Sequence, residues 1–207
     1  MRAPGFPETG RLPGVAEALI PVTGDPEADR FLADDPLALL VGMLLDQQVP
    51  MEWAFRGPLT LRERLGGRLD ATTIAAMEPE ELEAVFRAKP ALHRYPGSMG
   101  QRTHALCRYI VDEYGGDAAA VWTTAATGDE LLWRLRALPG YGEEKAKIFL
   151  AILGKRLQIA PPGWEEAAAP FSDTTPRSVA DIDSPESLQR VRAWKIEHKR
   201  NKKAKSD

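Results

Sequence analysis

The feature that most constrains the fold is a Pro-Gly turn between two helical runs, in "LPGYGEEKAKIFLAILGKR" (138–156). Pro139 stiffens the exit from the first run, and Gly140 and Gly142 can adopt backbone conformations closed to other residues. The second run begins at once, so N–H groups of the turn and of the first helical turn lack intrahelical partners. With the helix dipole, these groups form a site for an anion such as phosphate.

The remaining pattern predicts an all-α protein. Asp35 and Pro36 predict the start of a helix, and "LALLVGMLL" is apolar on almost every face, as expected of a buried central helix. No alternating strand pattern of useful length occurs. Further helices are predicted at "LDATTIAAM", "PEELEAVFRA", "SMGQRTHALCRYIVDEY", "DELLWRLRAL" and "EEKAKIFLAILGKRL". The Pro- and Gly-rich stretch "APPGWEEAAAPFSDTTPRSVADID" predicts a long loop.

Composition is that of a folded globular protein, with 43% hydrophobic and 28% charged residues. No apolar run approaches the roughly 20 residues that span a bilayer, and "MRAPGFPETGRLPG" lacks the apolar core of a signal peptide. We therefore expect a cytoplasmic protein with no membrane partner. The single cysteine, Cys107, excludes an internal disulfide and an iron–sulfur cluster held by this chain alone. We expect no cofactor and no metal, and a helical rather than nucleophilic role for Cys107.

Charge is distributed unevenly along the chain. Residues 190–207 contain eight Lys or Arg and two acids, which gives this segment a net charge of +6. Because the whole chain carries −3, residues 1–189 carry −9. "SPESLQRVRAWKIEHKRNKKAK" begins as a helix and is expected to fray into its lysines. Such a segment either binds phosphates by counterion release or serves as a solubilising tail.

Two motifs together resemble a known family. Leu138 to Ala146 match the helix-hairpin-helix motif: a hydrophobic residue, Pro-Gly-hydrophobic-Gly, then alanine four residues later. Upstream, "DPLALLVGMLLDQQVPMEWA" resembles the helix and Gln-Gln-Val ending of the alkyladenine branch of the HhH-GPD DNA glycosylases, the superfamily that includes endonuclease III. The resemblance covers residues 35–164. It implies a two-lobed all-α fold, a monomer, and duplex DNA with a damaged base as partner.

The resemblance also divides the chain and assigns its binding residues. It implies an N-terminal segment packing on the core (1–34), a helical core (35–171, with the hairpin at 129–157), and a loop with a basic C-terminal helix or tail (172–207). Gln48, and less surely Gln47, would fill the gap left by a flipped-out nucleotide. The other implied contacts are Pro139, Gly140, Tyr141, Gly142 and Lys145 with DNA, and Trp53 and Trp164 with the extruded base.

The catalytic residue of the family is replaced in this sequence. Members place an aspartate about two dozen residues beyond the hairpin, where this chain has Trp164 followed by Glu165. Glu165 is the expected catalytic carboxylate, with Asp46 and Asp173 as alternatives that could equally be helix or loop caps. Glu144 stands at the family's Schiff-base lysine position, so lyase activity is not expected.

The sequence thus predicts a monofunctional DNA N-glycosylase of base-excision repair. Two alternatives are a non-catalytic DNA-binding module and a helical protein–protein adaptor. A basic cluster in "FRAKPALHRYPGSMGQRTHALCR" is consistent with a strand groove or with a solvated helix edge: it contains Arg87, Lys89, His93, Arg94 and Arg102, together with Tyr95.

Overall fold

The computed structural model describes residues 20–204, and within them the chain is helical with no β-strand. The helices are α1 (Pro26–Asp34), α2 (Pro36–Leu45), α3 (Met51–Arg64), α4 (Ala71–Ala75), α5 (Pro79–Arg87), α6 (Pro96–Tyr114), α7 (Ala120–Thr123), α8 (Gly128–Ala137), α9 (Glu143–Arg156), α10 (Trp164–Ala168), a 3-10 helix (Val179–Asp181) and α11 (Pro185–Ala204). The all-α prediction is confirmed for this part of the chain.

Helix α2 is the centre of the core, as predicted. The Asp35 carboxylate accepts the Ala38 N–H at 2.8 Å, and Pro36 occupies the first helical position. Every residue of α2 after Pro36 is buried. A helix that is apolar on all faces must be surrounded by other elements, and α1, α3 and α6 pack on it.

Helix α3 was not predicted, because glycine and proline interrupt its pattern. Gly57 and Pro58 lie inside the helix, where both residue types usually disfavour helical structure. Gly57 instead allows close approach to α2: a Cβ at this position would lie 2.6 Å from Leu45 Cδ1. The glycine therefore serves packing between helices rather than a chain break.

The other helices pack around this centre. Helices α4 and α5 pack on α6, while α8, α10 and the 3-10 helix pack on α9. The buried hydrophobic side chains form a continuous core from Ile20 to Val191. Cys107 is buried within α6, where burial raises the pKa of its thiol. None of the helices within residues 20–204 combines the length and apolar character needed to cross a membrane.

The predicted long loop at 160–183 is only partly irregular, and that prediction was wrong for its two short helices. Asp181, in the 3-10 helix, organises the second half of the segment. Its carboxylate accepts the N–H groups of Arg177 and Ser178 at 3.1 and 2.9 Å, and pairs with Lys155 Nζ at 2.6 Å. In the N-terminal segment predicted to pack on the core, α1 packs on α2 and α3, and residues 1–19 lie outside the described part.

The hairpin is fixed onto α2 by three of its residues. A Cβ at Gly140, whose φ is +84°, would lie 2.3 Å from Leu44 Cδ1. The Tyr141 hydroxyl, which is buried, donates to Leu40 O at 2.8 Å. The Lys145 ammonium donates to Met43 O, to Leu44 O at 3.1 Å and to Asp46 O at 3.4 Å. Lys145 therefore supplies donors to carbonyls at the C-terminus of α2, which lack intrahelical partners.

We predict a large loss of stability for substitution of one hairpin glycine and a small change for the other. Gly140→Ala should lower the free energy of unfolding by about 2 kcal/mol or more, because it adds left-handed strain to a clash with Leu44. Gly142 has a φ of −84°, and a Cβ at this position would have no atom within 4 Å, so Gly142→Ala should change stability by only about 0.5 kcal/mol. Urea denaturation of both variants measures the difference; equal stabilities would contradict the packing described.

We also predict an unusual titration for Lys145. Burial lowers its pKa from 10.5 to about 8, although Asp46 acts in the opposite direction. One lysine ¹³Cε resonance should titrate near pH 8 and be missing in Lys145→Met. Because the folded chain binds this proton more weakly than the unfolded chain, wild-type stability relative to that variant should rise between about pH 8 and 10.5. A Lys145 midpoint above pH 10 would contradict the buried placement.

Candidate functional site

A cavity of about 920 Å³ lies where α2, the hairpin, residues 171–179 and α11 meet. Segments separated by about a hundred residues in sequence therefore share one surface. The lining residues are Met43, Asp46, Gln47, Gln48, Gly142, Glu143, Glu144, Lys145, Ile148, Phe171, Arg177, Ser178, Val179, Trp194, Lys195, His198 and Lys199. We call this cavity the cleft.

The hairpin contributes backbone and charge to the cleft, while its tyrosine faces the core. Tyr141 is only 5% exposed, and its backbone N–H donates to Leu138 O at 3.0 Å. The side chain predicted to contact DNA is therefore a packing residue. Gly142 lines the cleft with open space around its Cα, so a ligand can approach the backbone there.

The two glutamines of residues 46–50, which we call the glutamine loop, have different environments. Gln47 Nε2 donates to Leu44 O at 2.8 Å, and Gln47 Oε1 accepts from Arg102 at 2.7 Å, so both ends of this amide are engaged. Gln48 is exposed with a φ of 57°, in the left-handed region. Its side chain has a long contact, 3.4 Å, with the Tyr95 hydroxyl. Of the two, Gln48 is the glutamine available to a ligand.

A buried histidine holds the glutamine loop in place. His93 Nε2 donates to Gln47 O at 3.1 Å, and its Nδ1 accepts the Tyr95 N–H at 3.0 Å. These two partners require the neutral imidazole with its proton on Nε2. Burial lowers the pKa of His93, in agreement with a neutral ring. The basic cluster of the sequence thus contains a structural histidine.

Two exposed aromatic side chains flank His93. The rings of Trp53 and Tyr95 lie 6.3 and 6.0 Å from the His93 ring, and each residue is 41% exposed. Arg94 lies over the Tyr95 ring at 5.4 Å. Trp53, predicted to stack on a base, therefore lies on an aromatic and basic surface beside the glutamine loop, and does not line the cleft.

Helix α11 forms a basic wall of the cleft. The Trp194 ring stacks on His198 with a centroid distance of 4.7 Å, and Arg177 lies 5.8 Å from the Trp194 ring. Lys195 Nζ contacts Met51 Sδ at 3.1 Å, and Arg192 pairs with Glu52 on α3. These contacts hold the helix against the body of the protein. The predicted start of a helix in this segment is confirmed, and the helix continues to Ala204, through lysines where fraying was expected.

The opposite wall of the cleft is acidic. Glu143 pairs with Arg136 at 2.9 Å and with Lys147 at 3.2 Å. Glu144, also in the first turn of α9, is exposed and forms no ion pair with another described residue. The cleft thus has cationic groups on its α11 side and glutamates on its hairpin side.

The loop that contains Trp164 and Glu165, predicted to be catalytic, lies at the C-terminal end of α9, whereas the cleft lies at its N-terminal end. The Trp164 ring packs where a Cβ of Gly154 would be, 2.5 Å from that position. Gly154 is twelve residues beyond Gly142, about 18 Å along the helix. Trp164 is half-buried there, Glu165 is exposed, and neither lines the cleft. The structure thus separates the predicted base-pocket tryptophan and the predicted catalytic glutamate from the other predicted site residues.

The two alternative carboxylates have different environments. Asp173 pairs with Arg177 at 2.5 Å and accepts the Thr175 N–H at 2.9 Å, as a loop cap does. Asp46 lines the cleft, and burial raises the pKa of its carboxyl. The contributions of Phe171, Arg177 and Val179 to the cleft were missed by sequence reasoning, because nothing in a Pro-rich stretch indicates which side chains face a distant hairpin.

Comparison with known proteins adds no identification: no protein-family model, curated protein or solved structure matches this chain.

Proposed function

We propose that this protein binds duplex DNA containing a damaged base and removes that base by hydrolysis. The observation that carries the proposal is the convergence on one cleft of three segments that the sequence independently associates with DNA. These are the glutamine loop, the Pro-Gly hairpin and the basic helix α11. A helical adaptor would have no need to gather these three segments around a cavity.

The hairpin end of the cleft suits a phosphate. Gly142 precedes α9 directly, so the first N–H groups of that helix lie beside the cleft without intrahelical partners. The open space at Gly142 lets a phosphate oxygen reach this backbone. Backbone contacts of this kind position a duplex without reading its sequence.

The remaining surfaces suit a distorted duplex. Gln48 is an exposed side chain at the edge of the cleft, where it can occupy the space left by an extruded nucleotide. A cavity of about 920 Å³ is large enough for such a nucleotide. Trp53 and Tyr95 beside the loop offer faces on which unpaired bases can stack.

A second candidate function is DNA binding without catalysis. It is favoured by Trp164 at the family's aspartate position, and by Glu165 lying at the far end of α9 from the cleft. The choice between the two functions depends on whether a carboxylate inside the cleft can replace the family's catalytic aspartate.

We predict that Glu144→Gln strengthens duplex binding. The Glu144 carboxylate lies in the first turn of α9 beside the proposed phosphate site, where it repels a phosphate. Its neutralisation should increase affinity about 2- to 5-fold at low salt. Fluorescence anisotropy with a labelled duplex measures the change.

The matched control is Glu80→Gln, which neutralises an exposed glutamate in the first turn of α5, outside the cleft. Its affinity should equal that of the wild type. An equal increase in both variants would indicate a general charge effect and would count against a phosphate site at the hairpin.

We predict a separate effect for the basic wall. The double substitution Lys199→Gln and Arg200→Gln removes two exposed charges of α11. It should weaken binding to all duplex sequences and reduce the slope of log affinity against log salt by up to about 2. The control, Arg68→Gln with Arg108→Gln, removes two exposed charges near α4 and α6. Equal slopes in the two double variants would exclude α11 from the interface.

A further inference from the structure

Asp46 occupies an unfavourable position for a carboxylate. It is the C-cap of α2, where the helix dipole places partial negative charge. Its side chain is half-buried, and among the side chains that the structure describes none donates a hydrogen bond to its carboxylate oxygens. Burial raises its pKa, and the neighbouring carboxylate of Glu52 acts in the same direction.

Asp35, at the N-terminus of α2, is an aspartate with a structural role and provides a comparison. Asp35 is also half-buried, and burial raises its pKa. Its carboxylate, however, accepts the Ala38 N–H at the positive end of the helix, and so it caps α2. Asp46 performs no such capping, because the α2 carbonyls beside it need donors, which Lys145 supplies.

Two lysines approach Asp46 from different elements. Lys145 of α9 and Lys195 of α11 both lower its pKa, but their effect is smaller than that of burial. The carboxylate therefore shares the cleft with two lysines whose charges act on it. A carboxylate that lowers stability, caps no helix and lies in a cleft is typical of a functional group.

We propose that Asp46 is the catalytic carboxylate of the cleft, and that it activates water to hydrolyse the N-glycosidic bond of a nucleotide bound there. This inference rests on the proposed DNA function. The water oxygen bonds to the sugar carbon C1′ while the C1′–N bond breaks and leaves its electron pair on the base nitrogen. One water proton passes to Asp46, which returns it to solvent, and the departing base takes a proton from solvent. The net change is hydrolysis by one water molecule.

The proposal also specifies a pH dependence. Asp46 accepts a proton only when it is ionised, so excision should fall as pH decreases through its raised pKa. Burial has the largest effect on this pKa, and the charges of Lys195, Lys145 and Glu52 modify it. The other charged or titratable residues that line the cleft are Glu143, Glu144, Arg177, His198 and Lys199.

The test is Asp46→Asn, with Asp35→Asn as the matched control on the same helix outside the cleft. Full-length wild type and both variants are assayed on duplexes carrying alkylated, deaminated or oxidised bases, with alkali treatment to convert abasic sites into breaks. Asp46→Asn should lower excision at least about 100-fold while retaining duplex affinity. It should also raise Tm at pH 7, because it removes a buried charge. Asp35→Asn should keep excision.

The outcomes separate the inference from the function on which it rests. Excision that survives Asp46→Asn in a folded, DNA-binding variant would overturn the assignment, and so would a wild type that binds these duplexes and excises no base. In both cases the DNA-binding proposal stands. A wild type that binds none of the duplexes would overturn the proposed function itself. If excision is lost in both variants with equal loss of Tm, Asp46 is structural and the assignment fails.

Discussion

The C-terminus of α2 is the constraint on which the rest of the structure depends. Helix α2 is buried from Leu37 to Leu45, so its last carbonyls cannot be satisfied by bulk water. The Lys145 ammonium donates to three backbone carbonyls at this end, and the Gln47 side chain donates to Leu44 O. A single polar junction thus joins the central helix, the hairpin and the glutamine loop, and the cleft forms around it.

This junction explains which hairpin side chains are available for binding. Tyr141 and Lys145 are directed at α2 and stabilise the core, while Gly142 and Glu144 face the cleft. The tight turn at Gly140 is required because Leu44 fills the space that a side chain would need. What the hairpin offers a ligand is therefore its backbone and the first turn of α9, beside a basic wall supplied by α11.

Sequence reasoning predicted α2 and the hairpin because their signals are local. An N-cap, an apolar run and a Pro-Gly turn each depend on neighbouring residues, and the structure contains all three elements. Helix α3 was missed because Gly57 is explained only by Leu45, a contact between helices. Glu165 was assigned by counting along the chain, and counting cannot show at which end of α9 a loop packs. Tyr141 and Lys145 lie in the hairpin, but their burial depends on α2, which no local signal reveals.

The arrangement of charges in the cleft is consistent with the proposed function, in which DNA binding and base removal use different groups. Cations lie on α11, glutamates lie on the first turn of α9, and Asp46 lines the same cleft as Lys145 and Lys195. In the proposed function, a DNA strand is attracted to the α11 wall and repelled by Glu144, so the phosphate contact at Gly142 forms only when the duplex is positioned closely. The two lysines lower the pKa of Asp46 relative to the value that burial alone would give. In the proposed function, the carboxylate that burial and the helix dipole make costly to the fold is the one that activates water.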